Sequence, residues 1–237
     1  MNKTFQLIFV FILVIASSCT KKNENVNETI KLENQNKEYI TPEDIVKANS
    51  MPAIGKWMYK SDHNKAEWLG LKLNNKSFRE PINIIIVDSI SKSVEEAENN
   101  LIINFDKAGF KMRIGHSSGY LGYIGNNFYK QVHRNNSQTF SDAPFEINNC
   151  HGRIFGPCDI NGVYYFSGAL SKEKVVVNIP IHDYDSFNIA RDKLANNLNT
   201  KTNYKTISYV EMLNSISSDS FTTGDHDGKA TLISVVK

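Results

Sequence analysis

Hydrophobic residues recur along this chain in three rhythms, each predicting a different element. PINIIIVDS, Pro81 to Ser89, is an unbroken apolar run suited to a strand buried on both faces. Directly after it, Val94, Ala97, Leu101, Phe105 and Ala108 recur at helical spacing. Ser91 or Ser93 supplies the cap, Glu95 and Glu96 sit near the positive helix end, and Gly109 marks the stop. FKMRI then reads as a strand, so the section is β-α-β and favours a helix packed on a sheet. A second helical stripe runs through Phe187, Ala190, Leu194 and Leu198, with Asp185 or Ser186 as its cap. TPEDIVKAN predicts a short helix, with Thr41 at the cap, Pro42 in the first turn and acids behind it. Trp57 and Trp68 read as core-edge side chains. Between 116 and 149 no single period holds, and short strands or a long surface excursion both fit.

Alternation is the third rhythm, and it is clearest over residues 148 to 173, NNCHGRIFGPCDINGVYYFSGALSKE. Asn161-Gly162 signals a two-residue turn, because both central positions of that turn need positive φ. Counting outward pairs Ile160 with Val163, Cys158 with Tyr165, Phe155 with Gly168 and His151 with Lys172. A bulge at Pro157 would shift this register by one. Alternation places His151, Arg153 and Phe155 on one face and Cys150, Ile154 and Cys158 on the other. At about 3.3 Å per residue, the two cysteines lie about 26 Å apart along such a strand, beyond the roughly 7 Å reach of a disulfide. A Cys150–Cys158 bridge, the guess from cysteine counting in an oxidising compartment, is therefore disfavoured unless the chain turns at Gly156-Pro157.

Downstream, KVVVNIPI leaves two routes open. If the chain turns back at Ser171 to Glu173, His182 ends near the Asn-Gly tip, far from His151. If VYYFSGALSKEKVVV runs on as one long strand, His182 and Asp183 can return toward His151 and Glu173. TTGDHDGKATLISVVK then offers a turn and a closing strand.

The first residues stand apart from this pattern. MNKTFQLIFVFILVIASSC has a positive Lys3, an apolar core from Leu7 to Ala16 and small residues before Cys19. That core is too short for a membrane span and has the layout of a secretory signal. Ala16-Ser17-Ser18-Cys19 resembles the lipobox of bacterial lipoproteins, although alanine stands three places before the cysteine. The resemblance implies acylation (palmitate or a similar chain) at Cys19, with the lipid bilayer as partner. It also implies a place in the bacterial cell envelope, on the outer membrane facing the periplasm. Residues 1–18 thus read as signal peptide, the polar Asn-rich stretch 19–40 as a flexible stalk, and 41–237 as one globular domain. The expected fold is α+β, a mixed or antiparallel sheet with helices packed on it. Near balance between 27 Lys plus Arg and 25 Asp plus Glu, with no basic stripe, excludes an electrostatic footprint for nucleic acid.

Four blocks between about 78 and 200 carry a further resemblance: PINIIIVDS with its helix ending AGF, HGRIF, NGVYYFSGALSKE and HDYDSFNIARDKL. In order and spacing they are similar to the LssY C-terminal-like domain, an envelope-associated family of unassigned activity. The resemblance implies that His151, Arg153, Glu173, His182, Arg191 and Asp192 occupy that family's polar positions. Where the family has acids before the Arg-Asp pair, this chain has Asn188 and Ala190, which weakens any acid or metal role for that helix.

The expected function is a membrane-anchored envelope lipoprotein that binds or scaffolds an envelope protein or small ligand, with no turnover and no cofactor. The alternative is a metal-dependent or acid-base hydrolase using His151, Glu173, His182 and Asp183, since two histidines and carboxylates can hold zinc or move protons. Two other stretches invite chemistry and are read as structural. His116-Ser117-Ser118 is no triad by adjacency, because triads assemble from distant positions. Asp225-His226-Asp227-Gly228 lacks the spaced ligands of a calcium loop and reads as a solvated turn.

Overall fold

The computed structural model describes residues 40–48, 51–114, 116–176 and 182–237. The expected signal peptide, Cys19 and the expected stalk up to residue 39 lie outside the described residues, as do 177–181.

At Thr41 the expected helix stops after one 3-10 turn, Pro42–Asp44. The Asp44 carboxylate accepts from the Thr41 backbone and hydroxyl, and also holds the Trp57 indole and Lys65. With that turn closed, the β-branched pair Ile45–Val46 (β1) extends and pairs with Ile54–Gly55 (β2) rather than continuing as helix. Tyr59–Lys60 (β3) follows, and Glu67–Leu73 (β4) forms a hairpin with Lys76–Arg79 (β5).

The apolar run predicted as a buried strand is Ile84–Asp88 (β6), paired on both edges. It leads into Val94–Lys107 (α1), whose Ser93 hydroxyl accepts from Glu96 N at 3.1 Å. Gly109, at φ +86, ends the helix where a side chain would be strained, and Lys111–Arg113 (β7) follows. The mixed-period region resolves into short strands: Tyr120–Ile124 (β8) paired with Asn127–Lys130 (β9), then Thr139–Ser141 (β10).

Asn149–Ile160 (β11) and Val163–Val175 (β12) form a long hairpin around the Asn161-Gly162 turn, both of whose residues have positive φ. Ile160 faces Val163 and Cys158 faces Tyr165, as counting predicts. A bulge then places two residues, Gly156 and Pro157, opposite one, and beyond it Phe155 faces Ser167 and His151 faces Ser171. Proline brings no N–H to a regular ladder, and Gly156 takes φ +124, where a Cβ would lie 2.8 Å from the Tyr165 carbonyl. The shift corrects one face assignment. Cys158 packs with Phe155 in the core cluster on one side of the sheet, while Cys150 and Ile154 belong to the cluster on the other. The two thiols are free and buried, on opposite faces.

Because β12 runs on to Val175, the chain takes the second of the two routes left open. His182–Ser186 (β13) returns to pair with the far end of β12, and leads into Phe187–Lys201 (α2). Tyr204–Glu211 (β14), Phe221–Thr222 (β15) and Lys229–Val235 (β16) complete the order.

Eight strands make the main sheet in the order β14-β16-β6-β12-β11-β10-β7, with β13 also on β12. The sheet is mixed, since β16 runs parallel to β6 while their other neighbours are antiparallel. Both helices cover one face: Leu101, Phe105, Ala190, Leu194 and Leu198 pack with Ile84, Ile86, Ile154 and Phe166. The other face, carrying Ile85, Phe155, Ala169 and Ala230, is covered by Ile54, Met58, Ile82 and Ile124 from the N-terminal part. Each fully buried side chain of this size contributes about 1.5–3 kcal/mol. The architecture is therefore a β-rich α+β fold, helices on one side of a mixed sheet and small strands on the other.

Candidate functional site

Residues facing each other across antiparallel strands share a side of the sheet. Asn149 stands opposite Glu173, His151 opposite Ser171 and Arg153 opposite Ala169, so all these point away from the helices. Val175 opposite His182 and Glu173 opposite Tyr184 place His182 on the same side. The segment after β7 contributes His116, whose ring stacks on that of His151 at 4.5 Å between centroids and 24°.

Glu173 lies between two histidines. Its Oε1 is 3.4 Å from His151 Nε2, and its Oε2 contacts His182 Nδ1. On the far side of its ring, His151 Nδ1 meets Asn149 Oδ1 at 3.1 Å. His116, His151 and Glu173 each offer a ligand atom, all within 4.8 Å of one another. Trp68 stands 6.3 Å from the His151 ring, and Phe145 stacks over His182 at 6.1 Å.

Beside this group, Arg153 ties two distant segments together. Its Nε donates to the Ser117 carbonyl at 3.2 Å and a terminal nitrogen donates to the Ser117 hydroxyl at 2.6 Å. Another terminal nitrogen pairs with Glu80 at 3.4 Å, and the guanidinium lies over Tyr120. Arg153 therefore holds the chain next to His116 against the strand that carries His151.

Burial dominates the electrostatics. It drives the His151 imidazole well below its ordinary range, and the Arg153, His116 and His182 charges push the same way. His116 is pushed down to about 4, by burial first and then by Arg153. Glu173 and Glu80 are raised by burial, against the opposing pull of His182 on the former and Arg153 on the latter. His151 and Glu173 stand at ion-pair distance, yet burial pushes both toward neutrality. The 3.4 Å contact is thus not an ordinary salt bridge.

The structure brings together His151, Arg153, Glu173 and His182. It does not bring Asp183, Arg191 or Asp192 to them. Asp183 is exposed on the other side of β13, opposite Lys174, and its carboxylate accepts from Tyr184 N at 2.9 Å. Arg191 donates to Asp192 at 2.7 Å and reaches Asp227 through both terminal nitrogens, at 2.7 and 3.1 Å. This second network is built on the expected turn at 225–228, where Asp225 and Asp227 are exposed as expected but tied to other segments. Asp225 accepts from the Phe187 backbone N–H at 2.8 Å and from the Ser186 and Tyr184 hydroxyls, at the start of α2. His226 is buried, 2.7 Å from Asn214.

Two participants escaped the sequence reading, Asn149 and Glu80, and a third, His116, was singled out there beside Ser117 and read as structural. Asn149 was findable, since positions two apart on a strand share a face and Asn149 precedes His151 by two. Nothing local marks Glu80, and nothing local gives His116 its true neighbours, because the partners of both are remote in the chain. Compared with protein-family models, curated proteins and solved structures, the chain finds no match.

Proposed function

We propose that this chain is a cell-envelope lipoprotein, acylated at Cys19 and held to a bacterial membrane, whose domain is a binding module without turnover. The meeting of His116, His151, Glu173 and His182 on one side of the sheet supports the binding reading. Groups that lose hydration in this way oppose folding, and such clusters concentrate at functional sites. The lipobox-like Ala16–Cys19 and the likeness to LssY C-terminal-like domains support the envelope setting. No helix of the described residues is long and apolar enough to cross a membrane.

The mass of the mature N-terminal peptide tests the anchor. Diacylated or triacylated Cys19 is expected, and an unmodified cysteine or cleavage elsewhere overturns it. A metal-dependent or acid-base hydrolase is the second reading, favoured by the convergence of His151, Glu173 and His182 without Asp183. Turnover of ester, phosphoester or peptide substrates that vanishes in a His151→Ala, His182→Ala double variant would replace the binding reading with it.

A further inference from the structure

Ring nitrogens and a carboxyl oxygen converge in this cluster. Asn149 fixes the first. Its Nδ2 donates to the Ile147 carbonyl at 2.9 Å, so the atom facing His151 Nδ1 is the amide oxygen, which accepts. The proton of neutral His151 therefore sits on Nδ1, and Nε2 aims its lone pair at Glu173 Oε1, 3.4 Å away. At 3.4 Å the pair is longer than an ordinary hydrogen bond, so neither atom is well satisfied by the other. His116 adds a second nitrogen, because its Nε2 is buried and meets no hydrogen-bond partner among the described residues.

From this geometry we infer a site for one divalent transition-metal ion, with zinc as the best-matched species, held by His116, His151 Nε2 and Glu173 Oε1. It rests on the binding-module reading and names the ligand. Two imidazoles and one carboxylate suit zinc or its transition-metal neighbours, whereas calcium and magnesium take oxygen ligands. The 3.4 Å between His151 Nε2 and Glu173 Oε1 matches one edge of a tetrahedron. Such a tetrahedron has metal–ligand bonds of about 2.0–2.1 Å. His116 lies outside the regular elements, so the remaining separations, none above 4.8 Å, close by local movement of its segment.

Outer contacts complete the pattern that metal-binding histidines show. Asn149 holds the His151 tautomer, and His182 occupies the second carboxylate oxygen, leaving Oε1 free. Arg153 braces Ser117, the neighbour of His116, while Glu80 offsets the charge that would otherwise repel a cation. Three protein ligands leave a fourth position for water or an external group.

The test uses the full lipidated chain in detergent, stripped with a chelator. Zinc is titrated by calorimetry and cobalt(II) by its visible absorbance. One equivalent of either ion per chain is expected, with cobalt bands of a low-coordinate site. His116→Ala and Glu173→Gln should each weaken binding by at least about 100-fold, and His182→Ala by about 10- to 100-fold. Asp183→Asn should bind as the wild type does. Thermal melts of the stripped variants confirm that each is folded, and position 116 itself lies outside every described helix and strand. Absence of saturable one-equivalent binding overturns the site, as does wild-type affinity in His116→Ala or lost binding in Asp183→Asn. A chain unmodified at Cys19 that still binds one zinc loses the anchor and keeps the site. An acylated chain that binds neither ion keeps the anchor and loses the site.

Discussion

Two polar clusters are built into this domain, and they differ in whether their hydrogen-bonding needs are met from within. Around Asp225–Asp227, the Asp225 carboxylate meets hydroxyls and a helix-start N–H, Asp227 is gripped by Arg191, and His226 donates to Asn214. Asn214 must present its oxygen there, because its Nδ2 already donates to the Lys56 and Ile82 carbonyls. Only His226 Nδ1 goes unmet, and among the described residues it joins no group of three ligands. Around Glu173 the inventory is the reverse: His151 Nε2 and Glu173 Oε1 stand 3.4 Å apart, His116 Nε2 meets no partner among the described residues, and Arg153 is already paired with Glu80. Completed valence marks a clamp, whereas unmet valence shared by several converging groups marks a place for something else.

Removing one partner from each cluster sharpens this contrast. Arg191→Ala should have the largest effect, destabilising the protein by about 3 kcal/mol in denaturant unfolding, because it removes a buried guanidinium that bonds Asp227 and the Lys229 carbonyl and lies over Tyr209. Excess zinc should not restore that loss. At the other cluster, zinc at a hundredfold over its Kd should raise wild-type stability by about 2.7 kcal/mol and leave His116→Ala unmoved. Equal zinc stabilisation of both proteins would erase the distinction between the clusters.

Acid should loosen the clamp. Burial holds folded His226 down to about 4, while the unfolded chain titrates near 6.5. Between those values the unfolded state binds more protons, so stability falls as pH drops. By pH 5 this amounts to about 2 kcal/mol, read as the difference between wild type and His226→Gln across the window. If the two pH profiles run parallel, His226 is not the titrating group. The smallest effect belongs to Asp183→Asn, an exposed position outside both clusters, where the unfolding midpoint should change by less than about 0.5 kcal/mol.

What the chain discloses beforehand follows the same division between local and remote needs. β6, α1 with its Ser93 cap, α2 and the Asn161-Gly162 turn were legible because their signals lie within a few residues. The helix expected at Thr41 failed for a remote reason: Ile45 and Val46 find strand partners at Gly55 and Ile54. Asp225-His226-Asp227 has the look of a ligand run, yet its fate is decided by Arg191 and Asn214. His116 beside Ser117 suggests a nucleophile pair, yet its meaning comes from a ring stacked on it from β11 and a brace supplied by Arg153. Fold was readable where period and turn chemistry agree, and the site was half readable because the hairpin brings Asn149, His151 and Glu173 to one side only once the bulge at Pro157 is counted, and does not say what folds over them.

The bulge at Gly156 and Pro157 carries a consequence for how this surface can evolve. With regular pairing outward from the turn, His151 would stand opposite Lys172 and look toward the helices, and Cys150 would take a place beside Glu173. One extra residue sets the phase of the strand, and phase decides whether the side of the sheet away from the helices carries imidazole or thiol. A lineage could therefore trade a nitrogen-rich face for a sulfur-bearing one by slipping the register once, with every ligand codon left untouched.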